Sequence, residues 1–138
     1  VNDLHGHIVK ARGKEMWMWA DRLIEGPAMS YGVWESSYNA TWRAIDRVPK
    51  DIVLCDWHYE PMKSYPSVKV FLDKGFRVLP TSFRNVEAAE SLLNYSLAFD
   101  VDRMLGHLCT IWHAPKAGET ATLPALQAIA RRLGKKPA

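Results

Sequence analysis

Short apolar runs alternate along this chain with segments whose apolar residues fall at helical spacing. Val1, Leu4, Ile8 and Ala11 recur at three- and four-residue intervals, which predicts a helix over 1–12 stopped by Gly13. Glu-Met-Trp-Met-Trp-Ala (15–20) reads as a strand ending at Asp21, and 22–38, with Gly26, Pro27, Gly32 and no period, reads as a long loop. A short helix is expected over 40–47, with Asn39 as its cap. Ile52 to Cys55, between Pro49 and Pro61, has the pattern of a strand buried on both faces. Pro66 suits the first turn of a helix running to Lys74, Gly75 closes it, and 76–80 is the third strand. Asn85 is placed to cap a helix with Ala88, Ala89, Leu92 and Leu93 on one side. The fourth strand is expected over 103–112, leaving through His113, Ala114 and Pro115. An amphipathic helix over 121–133 follows.

Helices and strands thus alternate through four βα units, the pattern of an α/β domain with a parallel sheet. Four such units are half of an eight-stranded (β/α)8 barrel, its strands five to eight, and residues 1–138 are read as that single domain. A doubly wound sheet would place a Gly-rich phosphate turn after an early strand, and none is present. Four parallel strands alone leave an apolar inner face and two raw edges. The expected partner is therefore either a missing N-terminal half-barrel or a second copy in a homodimer.

Composition changes this picture little. Of 138 residues, 48% are hydrophobic and 24% charged, enough apolar content for a core. The net charge of +3 is mildly basic, and Arg131, Arg132, Lys135 and Lys136 are read as a solvated tail rather than a nucleic-acid surface. No run is long and apolar enough to predict a membrane span. Cys55 and Cys109 are expected as buried, reduced thiols.

The strand ends carry the candidate chemistry. They are Trp19-Ala20-Asp21, Asp56-Trp57-His58-Tyr59-Glu60, Pro80 to Asn85, and Thr110-Ile111-Trp112-His113. In a barrel these tips meet at one mouth. Aromatic walls with a few carboxylates and hydroxyls suit a pyranose, whose apolar face stacks while its hydroxyls are hydrogen-bonded.

Met-Trp-Met-Trp-Ala-Asp (16–21), Val-Leu-Cys-Asp-Trp (53–57) and Gly-His-Leu-Cys-Thr-Ile-Trp (106–112) resemble the later strands of family-20 glycoside hydrolases, the β-N-acetylhexosaminidases. The resemblance spans most of the chain. It implies a (β/α)8 barrel and a retaining hydrolysis in which the substrate's acetamido oxygen attacks the anomeric carbon, an exception to the two-carboxylate scheme. The family's catalytic Asp-Glu pair ends a fourth strand, which is expected to lie outside this chain, so the chain alone is expected to be inactive. Trp19, Trp57 and Trp112 match the family's pocket tryptophans. Where the family often has a sugar-contacting Glu, this chain has Ala114.

The substrate-binding candidates are Trp19, Asp21, Asp56, Trp57, Tyr59 and Trp112, with an N-acetylhexosaminide as ligand and neither cofactor nor metal required. Each has a plainer reading: the tryptophans as core, Asp21 as a local ion pair with Arg22, Asp56 as an acceptor for backbone N–H groups. Trp17, Trp34 and Trp42 are assigned to packing, and Glu35 to a solvated loop. A metal-dependent hydrolase built on Asp56, His58 and His113 is a third possibility.

Overall fold

A computed structural model describes residues 1–134; Lys135 and Lys136 of the expected tail lie outside them, while Arg131 and Arg132 are exposed on the last helix. Four strands, β1 (Trp17–Trp19), β2 (Val53–Trp57), β3 (Arg77–Ser82) and β4 (Leu108–Cys109), form one sheet in the order β1-β2-β3-β4. All neighbours run parallel, with Trp17 opposite Val53, Val53 opposite Arg77, and Thr81 opposite Leu108. The α/β class and the parallel sheet follow the expected pattern.

The connecting helices form where the local signals place them. The first, α1 (Asn2–His5), widens into a π turn over Gly6–Lys10, and Gly13 ends the segment at φ +60. Pro66 occupies the first turn of α3 (Pro66–Asp73), and Gly75 follows it at φ +84. Asn85 caps α4 (Val86–Ser96), its Oδ1 accepting from Ala88 N at 3.2 Å.

Several expectations need correction. The loop 22–38 opens in a 3-10 turn (Asp21–Leu23) and contains a short helix, α2 (Gly26–Met29), and a parallel bridge between Glu25 and Ser37. Asn39 does not cap the 3-10 helix Thr41–Arg47; Ala40 stands there in the left-handed region, and Asn39 Oδ1 accepts from Ser37 Oγ at 3.0 Å. The fourth strand is broken. Arg103 O and Leu105 N bond Val78, but Gly106 at φ +108 turns the chain before it rejoins β3 at Leu108. The last helix is two, α5 (Glu119–Thr122) and α6 (Pro124–Gly134), because Leu123 before Pro124 is extended. Cys109 is only partly buried, whereas Cys55 is buried; both are free thiols.

The side-chain parity of the strands sorts the core into layers. Ile52, Leu54 and Val78 face Val68, Phe71 and Leu72 of α3 and Leu92 of α4 in the main cluster. Loop residues Leu23, Ile24, Tyr31, Ile45 and Val48 complete it. Ala89 and Leu93 of α4 pack on Ala125 and Ile129 of α6. Each fully buried aliphatic or aromatic side chain contributes roughly 1.5–3 kcal/mol. On the opposite face Val53, Cys55, Leu79 and Leu108 form a small cluster made of strand residues alone. That face also exposes Trp17 and Trp19, so the helical layer covers one side of the sheet.

The end of the sheet where the strands begin is clasped by charge. Arg77 bonds the Glu15 carboxylate (2.6 Å) and Asp51 O (2.7 Å), and the buried His5 ring bonds Asp51 Oδ1 (2.8 Å). The other end is left to the candidate chemistry.

Candidate functional site

Alternation along β2 sends Cys55 and Trp57 to the face without helices and Asp56 and His58 to the helical layer. This single fact divides the expected site residues into two groups.

On the side without helices, Trp19, Asp21, Trp57, Tyr59 and Trp112 line one recess of about 260 Å³. The Trp19 and Trp112 rings lie 5.6 Å apart, the Trp57 and Tyr59 rings 4.8 Å. Trp112 Nε1 donates to Tyr59 OH (2.9 Å), which lies 3.3 Å from Thr110 Oγ1, whose hydroxyl donates to Ser82 O (2.9 Å). Trp57 Nε1 donates to Asp21 Oδ1 (3.3 Å). These bonds fix the polar edges of Trp57, Tyr59 and Trp112, and the rings pack in tilted pairs around the recess. Trp19 is 42% exposed and Trp112 59%, so neither is a core residue.

Asp21 carries both of its expected readings at once. Its Oδ2 accepts from Arg22 Nε, and it also lines the recess. The Arg22 guanidinium then reaches across to Val33 O (3.2 Å) and Trp34 O (2.7 Å), so it joins the recess to the β1–β2 loop.

Asp56 stands apart from the other five. It is fully buried, and its Oδ1 and Oδ2 accept from His58 Nε2 (3.1 Å) and Ser67 Oγ (2.7 Å), not from backbone N–H groups. His58, also fully buried, lies between the Tyr31 and Tyr65 rings, 4.6 and 5.2 Å away. Its Nδ1 bonds Glu35 Oε2 at 2.8 Å. Burial disfavours a charged imidazole, but the Asp56 charge and the bonds to Asp56 and Glu35 outweigh it and carry its pKa to about 9. His58 is therefore an imidazolium at neutral pH, both N–H groups donating to carboxylates. Tyr31 extends the network to Ser67 Oγ at 3.0 Å, and burial pushes its phenol well up. The network ties Glu35, in the long loop, to the end of β2.

Sequence reasoning missed this tether. Asp56 and His58 share a face by their spacing of two, which could have paired them; Glu35 lies 23 residues away, and nothing local announces it. Two of the packing assignments also need correction: Trp34 is 82% exposed and Trp17 51%. The metal set is not assembled. His113 bonds Glu119 (2.9 Å) at the surface, and among the described residues no three His, Cys, Asp or Glu side chains are grouped to hold an ion. Cys55 is a poor nucleophile, its thiol pushed to about 11 by burial and the neighbouring Asp56 charge.

Among the described residues no helix is long and apolar enough to cross a membrane. Compared with protein-family models and with curated proteins, the chain finds no match.

Proposed function

We propose that these four βα units are half of a (β/α)8 barrel and supply the sugar-binding wall for an N-acetylhexosaminide. The observation that carries the reading is the convergence of Trp19, Trp57, Tyr59 and Trp112 with one carboxylate, Asp21, at the C-terminal ends of the strands. The unreversed strand order and the one-sided helical layer support it. The rings stack on the apolar face of a pyranose, and Asp21 and Tyr59 OH hydrogen-bond its hydroxyls. Among the described residues Asp21 is the one carboxylate lining the recess, and it is already engaged by Arg22 and Trp57. General-acid chemistry therefore draws on groups beyond these four strands, and the chain alone acts as a binding surface. Asp56 is a positioning residue that holds β2 and its loop.

The test is an NMR titration of the indole N–H resonances with N-acetylglucosamine at up to about 50 mM, enough to register a millimolar Kd. The Trp57 and Trp112 signals are expected to shift saturably, and Trp112→Ala to weaken binding about tenfold. Immobile indole signals, or an affinity unchanged in Trp112→Ala, would overturn the reading. Rapid hydrolysis of an aryl N-acetylglucosaminide would overturn the assignment of the acid elsewhere. A second reading, self-association through the face without helices, is favoured by the exposure of Trp17 and Trp19. Sedimentation of the same sample decides it: a dimer at micromolar concentration supports it and a monomer removes it.

A further inference from the structure

The segment from Tyr31 to Glu35 is pinned at both ends into the buried network of the helical layer. Tyr31 is buried with its OH 3.0 Å from Ser67 Oγ, and Glu35 Oε2 lies 2.8 Å from His58 Nδ1. Between these pins the side chains of Val33 and Trp34 are exposed, so apolar burial does not fix this part of the chain. Their carbonyls have a task of their own: Arg22 Nη2 donates to both, at 3.2 and 2.7 Å. The same guanidinium donates through Nε to Asp21 Oδ2. Asp21 Oδ1 accepts from Trp57 Nε1 at 3.3 Å, so both oxygens of the recess carboxylate are aimed. Direct bonds thus lead from a histidine on the helical side of the sheet, through the loop backbone and one arginine, to the recess on the other side.

The histidine end has two states. As an imidazolium His58 has two donors, one for Glu35 and one for Asp56. From its other sides it meets the Tyr31 and Tyr65 rings and Ser67 Oγ, so these two carboxylates are the charged groups that face it among the described residues. A neutral ring keeps only one N–H. Asp56 is fully buried and is the costlier carboxylate to leave without a donor, whereas Glu35 is partly exposed and can turn to water. Nδ1 then presents a lone pair to Glu35, and that end of the segment is released. The remaining ties, Ser36 Oγ to Gly32 O and Ser37 N to Ile24 O, keep the loop folded while its hold on Arg22 loosens.

We infer that Arg22 is a positioning residue for the recess and that the Glu35–His58 pair is its latch, so that ligand binding at Asp21 is coupled across the sheet to protonation of His58. For the ligand the inference rests on the sugar-binding reading of the recess; for the coupling it rests on the bonds of the chain alone. The latch is a two-state element that both sites bias, and the coupling is reciprocal. A ligand held by Asp21 should therefore raise the pH at which the latch opens.

The Trp57 indole N–H, which donates to Asp21, reports the carboxylate's position with no ligand present. Its NMR signal and those of the His58 ring are followed from about pH 7 to 10 in the parent chain, Glu35→Gln and Arg22→Lys. In the parent both are expected to move together with a midpoint near pH 9. Glu35→Gln removes a charge that raises the histidine's pKa, so the shared midpoint should fall. Arg22→Lys keeps the charge but not the fork that bridges carbonyls to carboxylate, so His58 should still titrate while Trp57 no longer follows. At pH 7 each variant is expected to bind N-acetylglucosamine about fivefold more weakly than the parent, and the double variant no more weakly than either. A Trp57 signal that stays flat in the parent, or that still follows His58 in Arg22→Lys, would overturn the coupling. Unchanged affinities, or losses that add in the double variant, would overturn the latch's effect on binding. If Trp57 follows His58 but the parent does not bind the sugar, the reading of the recess fails and the coupling stands. Should Glu35→Gln not fold, the parent and Arg22→Lys titrations decide the coupling by themselves.

Discussion

Replacing His58 with Leu would leave two carboxylates facing a cavity that no longer holds a cation. Asp56 is fully buried and Glu35 largely so, with 23% of its side chain exposed. Removing one partner of a buried pair costs about 3–5 kcal/mol, because the remaining charge has neither water nor counter-ion. A pH dependence follows from the same contacts. The folded pKa of His58, about 9, lies above the ordinary 6.5, so the native state holds the proton more tightly than the unfolded chain. The contribution is complete below pH 6.5 and is lost as pH rises through about 9. Its size over that window is about 3 kcal/mol, from 1.36 kcal/mol per pKa unit. Urea unfolding followed by far-ultraviolet circular dichroism at pH 6, 7.5 and 9 measures both effects. At about 2 kcal/mol per molar urea, the His58→Leu midpoint at pH 6 should fall by about 1.5–2.5 M. The stability difference between parent and variant should shrink towards pH 9. Adding Asp56→Asn to His58→Leu should recover part of the loss, since it removes the stranded charge. Parent and variant curves that run parallel from pH 6 to 9, or a His58→Leu cost below about 1 kcal/mol, would refute the tether as a charged network.

Two further outcomes test the surrounding structure. His107 bonds Ser82 Oγ (2.8 Å) through Nε2, while its buried Nδ1 has no partner among the described residues, and burial lowers its pKa to about 4. Below pH 6.5 the unfolded chain takes up a proton that the folded site refuses. Stability should therefore decline by up to about 3 kcal/mol as pH falls from 6.5 to 4, and His107→Leu should flatten that decline in urea titrations. Gly26→Ala drives a methyl into Ser36 Oγ and the Tyr38 ring, so it should destabilise by about 1–3 kcal/mol and loosen the loop, read as faster amide exchange at residues 31–38.

The two ends of legibility are visible in individual residues. Pro66, Gly75 and Asn85 announced their helix boundaries because each acts on the backbone beside it. The apolar run from Ile52 to Cys55 announced β2 for the same reason, since burial on both faces needs no polar alternation. Pro124 and Gly106 carry equally local signals, and they overrode the longer helix and strand that hydrophobic spacing had favoured. The aromatic members of the candidate site were legible from their positions at strand tips. Asp56 was placed with them by sequence proximity alone.

What sequence determined by itself was the order of elements, the parallel α/β class and the concentration of tryptophan, tyrosine and carboxylate groups at one end of the strands. Tertiary structure decided which face each of them took. The side-chain period of a strand is two, so one residue separates Trp57 in the recess from Asp56 beneath the helices. It also decided that Glu35 finds His58, that Arg22 spans from Asp21 to Trp34, and that Trp34 stands in water. Hydrophobic spacing and turn residues act over a few positions and are written locally. A charge pair bridging 23 residues depends on loops closing against a finished core, and only the folded chain brings its members together.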